Sequence, residues 1–200
     1  MSISLFQGEL VRLAAPNPET DAEMEARWQR DSEFLRLADS DPARPLSVSQ
    51  NKKDMEARAA RDNAFPFIIR SLADDRPIGF VSLWVHEWAH REAWMGIGLG
   101  DRDYWGKGYG TDAVHIIVRF GFTELNLHRV SLGVFDYNPR AIRAYEKAGF
   151  VLEGRTRHDT RREGRFWDSL WMGLLREEWE RLNAGGRKLE VGDERTTFSG

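Results

Sequence analysis

The sequence contains no cysteine, no long apolar run and no strong excess of either charge. Without cysteine the chain has no disulfide, no thiolate metal ligand and no cysteine nucleophile. No stretch approaches the ~20 apolar residues that a membrane-spanning helix requires. The net charge of −3 gives no overall attraction to nucleic acid or to an anionic membrane. These absences exclude several classes of protein and direct attention to the residues that are present.

A single soluble, cytoplasmic domain is expected from the composition. The first four residues, M-S-I-S, lack the basic and apolar regions of a secretory signal. The five histidines show no ligand spacing, so no metal site is expected. Hydrophobic residues make up 41% of the 200, which is enough for a sizeable core. We expect one domain over residues 1–183, followed by a polar, disordered tail at 184–200, with no DNA or membrane partner.

The segment from Asp103 to Thr111 reads D-Y-W-G-K-G-Y-G-T. Gly106, Gly108 and Gly110 alternate with bulkier residues, and an apolar pattern with helical spacing follows at once. Glycine permits a sharply turned backbone whose N–H groups approach a ligand, and the helix adds the positive end of its dipole. The pattern favours an anion site, although a glycine loop with a purely topological role would have the same residues.

Two better-known phosphate motifs do not fit this loop. A Walker loop needs Ser or Thr after its Gly-Lys pair, whereas Lys107 is followed by Gly108 and Tyr109. A dinucleotide fingerprint needs G-x-G-x-x-G, whereas the glycines here alternate. Both are therefore excluded.

Apolar periodicity predicts the order β-α-α-β-β-β-α-β-α-β-β, followed by a short terminal helix. The glycines at 96, 98 and 100 fall inside one predicted strand and indicate a bulge or a close approach by another group. The predicted strands are 8–13, 65–72, 78–88, 92–100, 129–135, 151–157 and 166–175, and the predicted helices are 17–31, 47–61, 110–122, 139–148 and 176–183.

A second informative stretch runs from Asp136 to Phe150 and reads D-Y-N-P-R-A-I-R-A-Y-E-K-A-G-F. Pro139 just inside a helix start and Gly149 just past its end bound a short helix. Asn138 is a natural N-cap for that helix.

These two stretches resemble the two signatures of the GNAT superfamily of acyl-CoA N-acyltransferases. Trp105 to Gly110 is similar to the Q/R-x-x-G-x-G/A pyrophosphate loop, with Trp105 in place of Gln or Arg, as is common in the RimJ/RimL-type branch. Asn138 to Phe150 is similar to N-x-x-A-x-x-x-Y-x-K-x-G-F. The resemblance implies an α/β (α+β) GNAT fold over about residues 8–180. In that fold a central mixed, mostly antiparallel twisted sheet with splayed central strands is flanked by helices, and the first two helices form a flap over the acceptor site.

The resemblance also implies how acetyl-CoA, as co-substrate, is held. The glycine loop would hold the pyrophosphate, and Asn138 would contact the pantetheine arm. Tyr145 would act as general acid on the departing thiolate, and the glycine strand would polarise the thioester carbonyl. The expected coenzyme-binding residues are Ile97, Gly98, Leu99, Trp105, Gly106, Lys107, Gly108, Tyr109, Gly110, Thr111, Asn138, Ala141 and Tyr145.

The sequence does not identify a single residue as the general base. An ammonium substrate must lose a proton before it attacks, and a carboxylate or histidine can accept it. Glu92, at the start of the glycine strand, and Asp168, after the arginine-rich hairpin, are the candidate bases, with His86 and Glu87 as further candidates. A structural, ion-paired role is open for each of them.

We therefore expect an acetyl-CoA-dependent N-acetyltransferase in which a primary amine attacks directly within a ternary complex. The acceptor is either a protein N-terminal amine or a small amine. One alternative is an acyl-CoA-binding module without turnover, and another is an N-acyltransferase with a different donor such as succinyl-CoA. A homodimer is expected from the resemblance alone. In the module, a basic patch would engage the partner, and its members are Arg155, Arg157, Arg161, Arg162 and Arg165.

Overall fold

The computed structural model describes residues 4–184. The tail predicted for 184–200 therefore lies, except for its first residue, outside the described residues. No helix in the described part is long and apolar enough to cross a membrane. The strands are β1 (Val11–Ala14), β2 (Ala64–Ser71), β3 (Pro77–Glu87), β4 (Glu92–Leu99), β5 (Arg129–Phe135), β6 (Val151–Arg162) and β7 (Arg165–Leu175). The helices are α1 (Pro18–Trp28), α2 (Ser32–Ala38), α3 (Val48–Ala59), α4 (Tyr109–Thr123), α5 (Pro139–Lys147) and α6 (Arg176–Ala184).

Within residues 4–184 the strands form one seven-stranded sheet in the order β1-β2-β3-β4-β5-β7-β6. Every neighbouring pair is antiparallel except β4 and β5, which run parallel. A mixed, mostly antiparallel sheet flanked by helices confirms the fold class predicted from the sequence.

The parallel pair β4–β5 is hydrogen-bonded only at its beginning. Glu92, Ala93 and Trp94 pair with 129–131 of β5, and no further residue of β4 pairs with β5. Over its other edge β4 pairs with β3 along its whole length, as β5 does with β7. The two central strands therefore separate after Trp94, which confirms the predicted splay and leaves a gap in the middle of the sheet.

Helix α4 covers one face of the sheet through a broad apolar stripe. A Cβ added to Gly121 would lie 3.0 Å from Cδ1 of Leu83 on β3, so the helix packs closely there. The stripe follows the helical spacing predicted from the sequence and includes the buried residues Ala113, Val114, Ile116, Ile117, Val118 and Phe120.

Helices α1 and α2 lie on the opposite face. A Cβ on Gly98 would lie 3.1 Å from the Phe34 ring, and one on Gly100 would lie 2.0 Å from Cγ of Trp28. Gly98 pairs with Phe80, which is three residues from Leu83 and so points to the other face. The glycines of the predicted strand thus do mark a close approach, and the approaching groups include two aromatic side chains.

The helix predicted for 17–31 is confirmed as α1, which ends three residues earlier, whereas α2 at Ser32–Ala38 was not predicted. Helix α1 ends at Trp28, and Asp31 then caps α2 by accepting hydrogen bonds from the N–H groups of Glu33 and Phe34 at 3.0 and 3.4 Å. Asp31, predicted as the last residue of the first helix, is thus the N-cap of a second one. The strand predicted to end at 157 also continues, as β6, to Arg162.

Asp112, in the first turn of α4, ties this helix to the start of the chain. Its carboxylate accepts the N–H groups of Glu9 at 3.2 Å, Leu10 at 2.8 Å and Val11 at 3.0 Å. A Cβ on Gly8 would lie 2.3 Å from this carboxylate. The carboxylate therefore serves β1 and does not cap its own helix.

Replacing Asp112 by Asn should lower the free energy of unfolding by about 2 kcal/mol, because an amide N–H₂ would face backbone donors that a charged acceptor now satisfies. Urea denaturation measures the change. Glu124→Gln is the control, since Glu124 is exposed on the C-cap of α4 and has no ion pair in the described chain. Equal stability of the two variants would contradict the role given to Asp112.

Candidate functional site

The gap between β4 and β5 opens into a cleft of about 500 Å³, within the usual size range for small-ligand sites. Its walls are the second half of β4, the end of β5, the glycine loop, α5, the segment from α2 to Ser40, and part of the β6–β7 hairpin. The sheet and both of its faces therefore contribute to one cavity.

The glycine loop forms one end of the cleft. Gly106 and Gly108 have φ angles of 72° and 92°, in the left-handed region that glycine adopts at low cost. Gly108 is the N-cap of α4, and no side chain caps the helix. The first helical bond runs from Asp112 N to Gly108 O, so the N–H groups of 108–111 have no helical acceptor. Together with the helix dipole, these donors can bind an anion.

Trp105 joins this loop to its surroundings. Its indole Nε1 donates to the carbonyl of Leu99 at 2.7 Å, and the Arg140 guanidinium lies 3.8 Å from the centroid of the ring. Burial lowers the pKa of Arg140, but a guanidinium keeps its charge at neutral pH. A tryptophan at this position therefore holds a cation beside the loop.

Helix α5 forms the neighbouring wall. Its predicted N-cap is confirmed, because Oδ1 of Asn138 accepts the Ala141 N–H at 3.2 Å. This leaves the side-chain nitrogen of Asn138 as the group that can donate to a ligand. Tyr145 is 8% exposed and lines the same cleft. Burial raises the pKa of Tyr145, so the phenol keeps its proton at neutral pH.

Most of the residues expected to bind the coenzyme line this cleft. The exceptions are Lys107, which is exposed, and Tyr109, whose ring packs edge-on against Tyr104 at 4.9 Å. The expected residues that the cleft brings together are Ile97, Gly98, Leu99, Trp105, Gly106, Gly108, Gly110, Thr111, Asn138, Ala141 and Tyr145.

Glu92 lies outside this cleft. Its Oε1 accepts a hydrogen bond from Ser131 Oγ at 2.8 Å and pairs with Arg129 at 3.3 Å. With Trp94 it lines a second pocket of about 310 Å³. Glu87, one of the further candidates, caps the short 3₁₀ turn that follows β3.

Asp168 also lies outside the lining of the cleft. It pairs with Arg155 at 3.1 Å and accepts the backbone N–H of His158 at 2.9 Å. His158 has a φ of 54° and lies in a bulge of β6. Asp168 therefore supports the backbone of the hairpin, and its role as base stays a prediction, as does that of Glu92.

Several cleft residues were missed by the sequence analysis. Arg140, Arg143 and Lys147 lie at spacings of three and four within the second signature, which is the signal that could have placed them on one helix face. Residues of α2 and the segment to Ser40, here called the flap, and of the β6–β7 hairpin have no such signal, because long-range packing brings them to the cleft. The missed residues of those segments include Phe34, Asp39, Ser40, Asp159, Ser169 and Trp171.

Several known proteins are similar to this chain in sequence or in fold. Residues 11–151 match the family model described as an acetyltransferase (GNAT) domain. The chain is 37% identical over 123 residues to the probable N-acetyltransferase YjcK of Bacillus subtilis (strain 168), which covers 61% of this chain and 67% of that protein. It is 32% identical over 135 residues to a spermidine N(1)-acetyltransferase of Vibrio cholerae serotype O1, which covers 68% of this chain and 78% of that protein.

A solved structure shares the fold. The spermidine N-acetyltransferase from Vibrio cholerae in complex with CoA and spermine aligns with a TM-score of 0.76 over 85% of this chain and 98% of that chain. The two sequences are 23% identical, so this likeness concerns the fold alone. None of these three proteins is named as a RimJ/RimL-type enzyme, and that branch stays a prediction.

The segment after α2 is fastened to the β6–β7 hairpin across the cleft. Nη2 of Arg162 donates to the carbonyls of Asp39, Ser40 and Asp41 at 2.9, 2.8 and 2.8 Å. Arg36 pairs with Glu163 at 2.6 Å at the tip of the hairpin. These contacts hold one wall of the cleft against another.

Arg162→Met should expose the segment after α2 to proteolysis, because it removes the donor to three carbonyls and keeps most of the side-chain stem. We expect cleavage by endoproteinase Asp-N before Asp39 and Asp41 to accelerate by about 10-fold, from a loss near 1.4 kcal/mol. Mass spectrometry of timed digests provides the measurement. Arg161→Met is the matched control, since the Arg161 guanidinium lies over the Phe166 ring instead. Unchanged cleavage of Arg162→Met would show that the contact does not restrain the segment.

Proposed function

Because the chain belongs to the acetyltransferase (GNAT) family, we propose that it transfers the acetyl group of acetyl-CoA to a primary amine of a small, cationic acceptor such as spermidine. The observation that carries this proposal is the cleft through the splayed strands, which has an uncapped helix N-terminus at one end and the protonated phenol of Tyr145 on its wall. The N-acetyltransferase relatives support the class of reaction.

The donor end of the cleft is assigned to the phosphates of acetyl-CoA. The backbone N–H groups of 108–111 have no helical acceptor and can donate to an anion, and the helix dipole also favours a negative charge there. Arg140, Arg143 and Lys147 line the same cavity from α5 and add positive charge. Donors and cations from two helices thus suit a polyanionic coenzyme, whichever acyl group it carries.

The reaction we propose is direct attack within a ternary complex. The acceptor nitrogen attacks the thioester carbon, and the carbonyl oxygen that becomes negative meets N–H groups of β4 that the sheet leaves unpaired beyond Trp94. As the C–N bond forms and the C–S bond breaks, Tyr145 gives its proton to the leaving sulfur. The proton that the nitrogen loses passes to a base, for which Glu92 and Asp168 remain the predictions.

A small acceptor is favoured over a protein N-terminus by the walls of the cleft. Phe34, Asp39 and Ser40 of the flap line the cavity on the face opposite α4, and Arg162 fastens this segment to the hairpin. A narrow flexible amine can enter such a space without displacing the flap. The spermidine N-acetyltransferases among the relatives support the same choice.

Gly108→Val should weaken the binding of acetyl-CoA at least about 10-fold, since a branched side chain at a φ of 92° strains the loop that presents the N–H donors. Titration calorimetry with acetyl-CoA and succinyl-CoA measures the affinities. Gly164→Val is the matched control, because Gly164 has a φ of 78° in the hairpin turn and does not line the cleft. Each variant should lose about 1–2 kcal/mol of stability, but only the first should lose coenzyme affinity.

Unaltered binding by Gly108→Val would sink the assignment of the loop. Clearly tighter binding of succinyl-CoA than of acetyl-CoA would change the donor and leave the loop in place.

Tyr145→Phe should lower kcat by about 100-fold or more and leave the Kd for acetyl-CoA nearly unchanged, because the variant lacks only the proton donor. Thiol release with spermidine and other amines provides the rate. Since burial raises the pKa of Tyr145 above its ordinary value near 10, the wild-type rate should not fall through ionisation of this group below about pH 10.

A fully active Tyr145→Phe variant would remove this residue from the mechanism. Tight binding of acetyl-CoA by the wild-type protein, without thiol release for any amine, would favour the non-catalytic binding module.

A further inference from the structure

The charged side chains that line the cleft are separated by sign. Arg140, Arg143 and Lys147 line it from α5, which packs beside α4. Among the described residues, the carboxylates of the lining are Asp39, after α2, and Asp159, on β6. The end that suits phosphates is therefore cationic, and the charged side chains that line the cleft from the segment after α2 and from the hairpin are carboxylates.

The two lining carboxylates differ in their engagement. Asp39 is turned into its own loop, where Oδ1 accepts the Asp41 N–H at 3.1 Å. Asp159 accepts a hydrogen bond from Ser169 Oγ at 2.5 Å and has no cationic partner in the described chain. Other carboxylates of the hairpin are balanced, as Asp168 is by Arg155. Asp159 thus brings to the cleft a carboxylate that forms no ion pair within the described chain.

A bulge in β6 determines the position of this charge. Thr156 pairs with Ser169 and Thr160 with Trp167, so three residues of β6, at 157–159, lie opposite Asp168 alone. Asp168 holds the bulge by accepting the N–H of His158. Bulges re-aim side chains next to functional sites, and here the bulged segment includes the carboxylate that lines the cavity. Asp168 acts on Asp159 as a positioning residue.

The sheet order separates Asp159 from the place of reaction. The carboxylate is bound to Ser169 on β7, and β7 lies between β6 and β5. Adjacent strands are about 4.8 Å apart, so this carboxylate lies about one strand spacing or more beyond the gap that separates β4 from β5. A thioester held in the gap lies on the far side of β5 from Ser169, so the geometry places Asp159 beside a second nitrogen and not beside the attacking one. A molecule that reaches both positions needs two nitrogens several bonds apart.

We propose that Asp159 binds a second, non-reacting ammonium group of the acceptor, and that it thereby selects diamines and polyamines over monoamines. This inference rests on the N-acetyltransferase function proposed above and names a residue that determines its specificity. The ammonium stays protonated at neutral pH and can make a charge-assisted hydrogen bond with the carboxylate. The reacting amine, at the other end of the acceptor, remains free to lose its proton.

The test compares 1,4-diaminobutane with butan-1-amine as acceptors for the wild-type protein and for Asp159→Asn. The wild-type protein should prefer the diamine in kcat/KM, and the variant should lose about 5–10-fold of that preference through a higher KM. Asp41→Asn is the control, because it removes an equal charge from a neighbouring exposed residue that does not line the cleft. Unchanged affinity for acetyl-CoA in both variants verifies that the cleft is intact.

A second measurement separates this inference from the proposed function. Calorimetric titration of 1,4-diaminobutane into the CoA-loaded protein reports binding without turnover, and Asp159→Asn should weaken it by a similar factor. If the wild-type protein acetylates amines and the variant keeps the full diamine preference, or loses kcat equally for both acceptors, the role of Asp159 is refuted. If the wild-type protein acetylates nothing, the proposed function fails, and the titration still decides whether Asp159 binds an ammonium.

Discussion

The separation of β4 from β5 after Trp94 is the constraint on which the site depends. Inside a sheet, each strand normally satisfies its N–H and C=O groups on both edges, and here the facing edges of two central strands do not pair. Because the two strands are parallel, α4 and α5 both begin at the same end of the gap. Unpaired backbone groups and two helix N-termini therefore meet in one cavity. The cavity exists only because both strands, β4 and β5, leave their facing edges unpaired.

The two helix N-termini are prepared differently. Asn138 caps α5 by accepting the N–H of Ala141, so part of its first turn is satisfied from within. The first turn of α4 has no side-chain cap, and its nearest carboxylate, Asp112, is committed to β1. Because the Asp112 carboxylate accepts hydrogen bonds from the backbone at the start of β1, it does not cap α4. The N–H groups of 108–111 therefore stay available for an anion. Anchoring of β1 and binding of an anion therefore use different groups at the same end of α4, a carboxylate for the first and backbone N–H groups for the second.

The parts predicted from sequence are those in which neighbouring residues decide the structure. The Pro139–Gly149 boundaries, the cap by Asn138 and the apolar stripe of α4 are local patterns and were confirmed. Helix α2 was missed as a whole, since Asp31 reads as the last acidic residue of the preceding helix and not as the N-cap of a new one. The bulge in β6 has no glycine to mark it, and the partners of Glu92 and Asp168 are arginines on other segments. Such features arise from packing, which single-sequence patterns do not contain.

The bulge of β6 also affects edge-to-edge pairing between copies of the chain. In the described sheet β6 is an edge strand, and a long regular edge offers a row of free backbone groups on which another sheet can grow. Residues 157–159 interrupt that row in its middle, and the charged side chains around them oppose the flat approach that continuous intermolecular pairing needs. A deletion that restored regular pairing would therefore do more than alter the cleft: it would lengthen an adhesive edge and favour aggregation during folding.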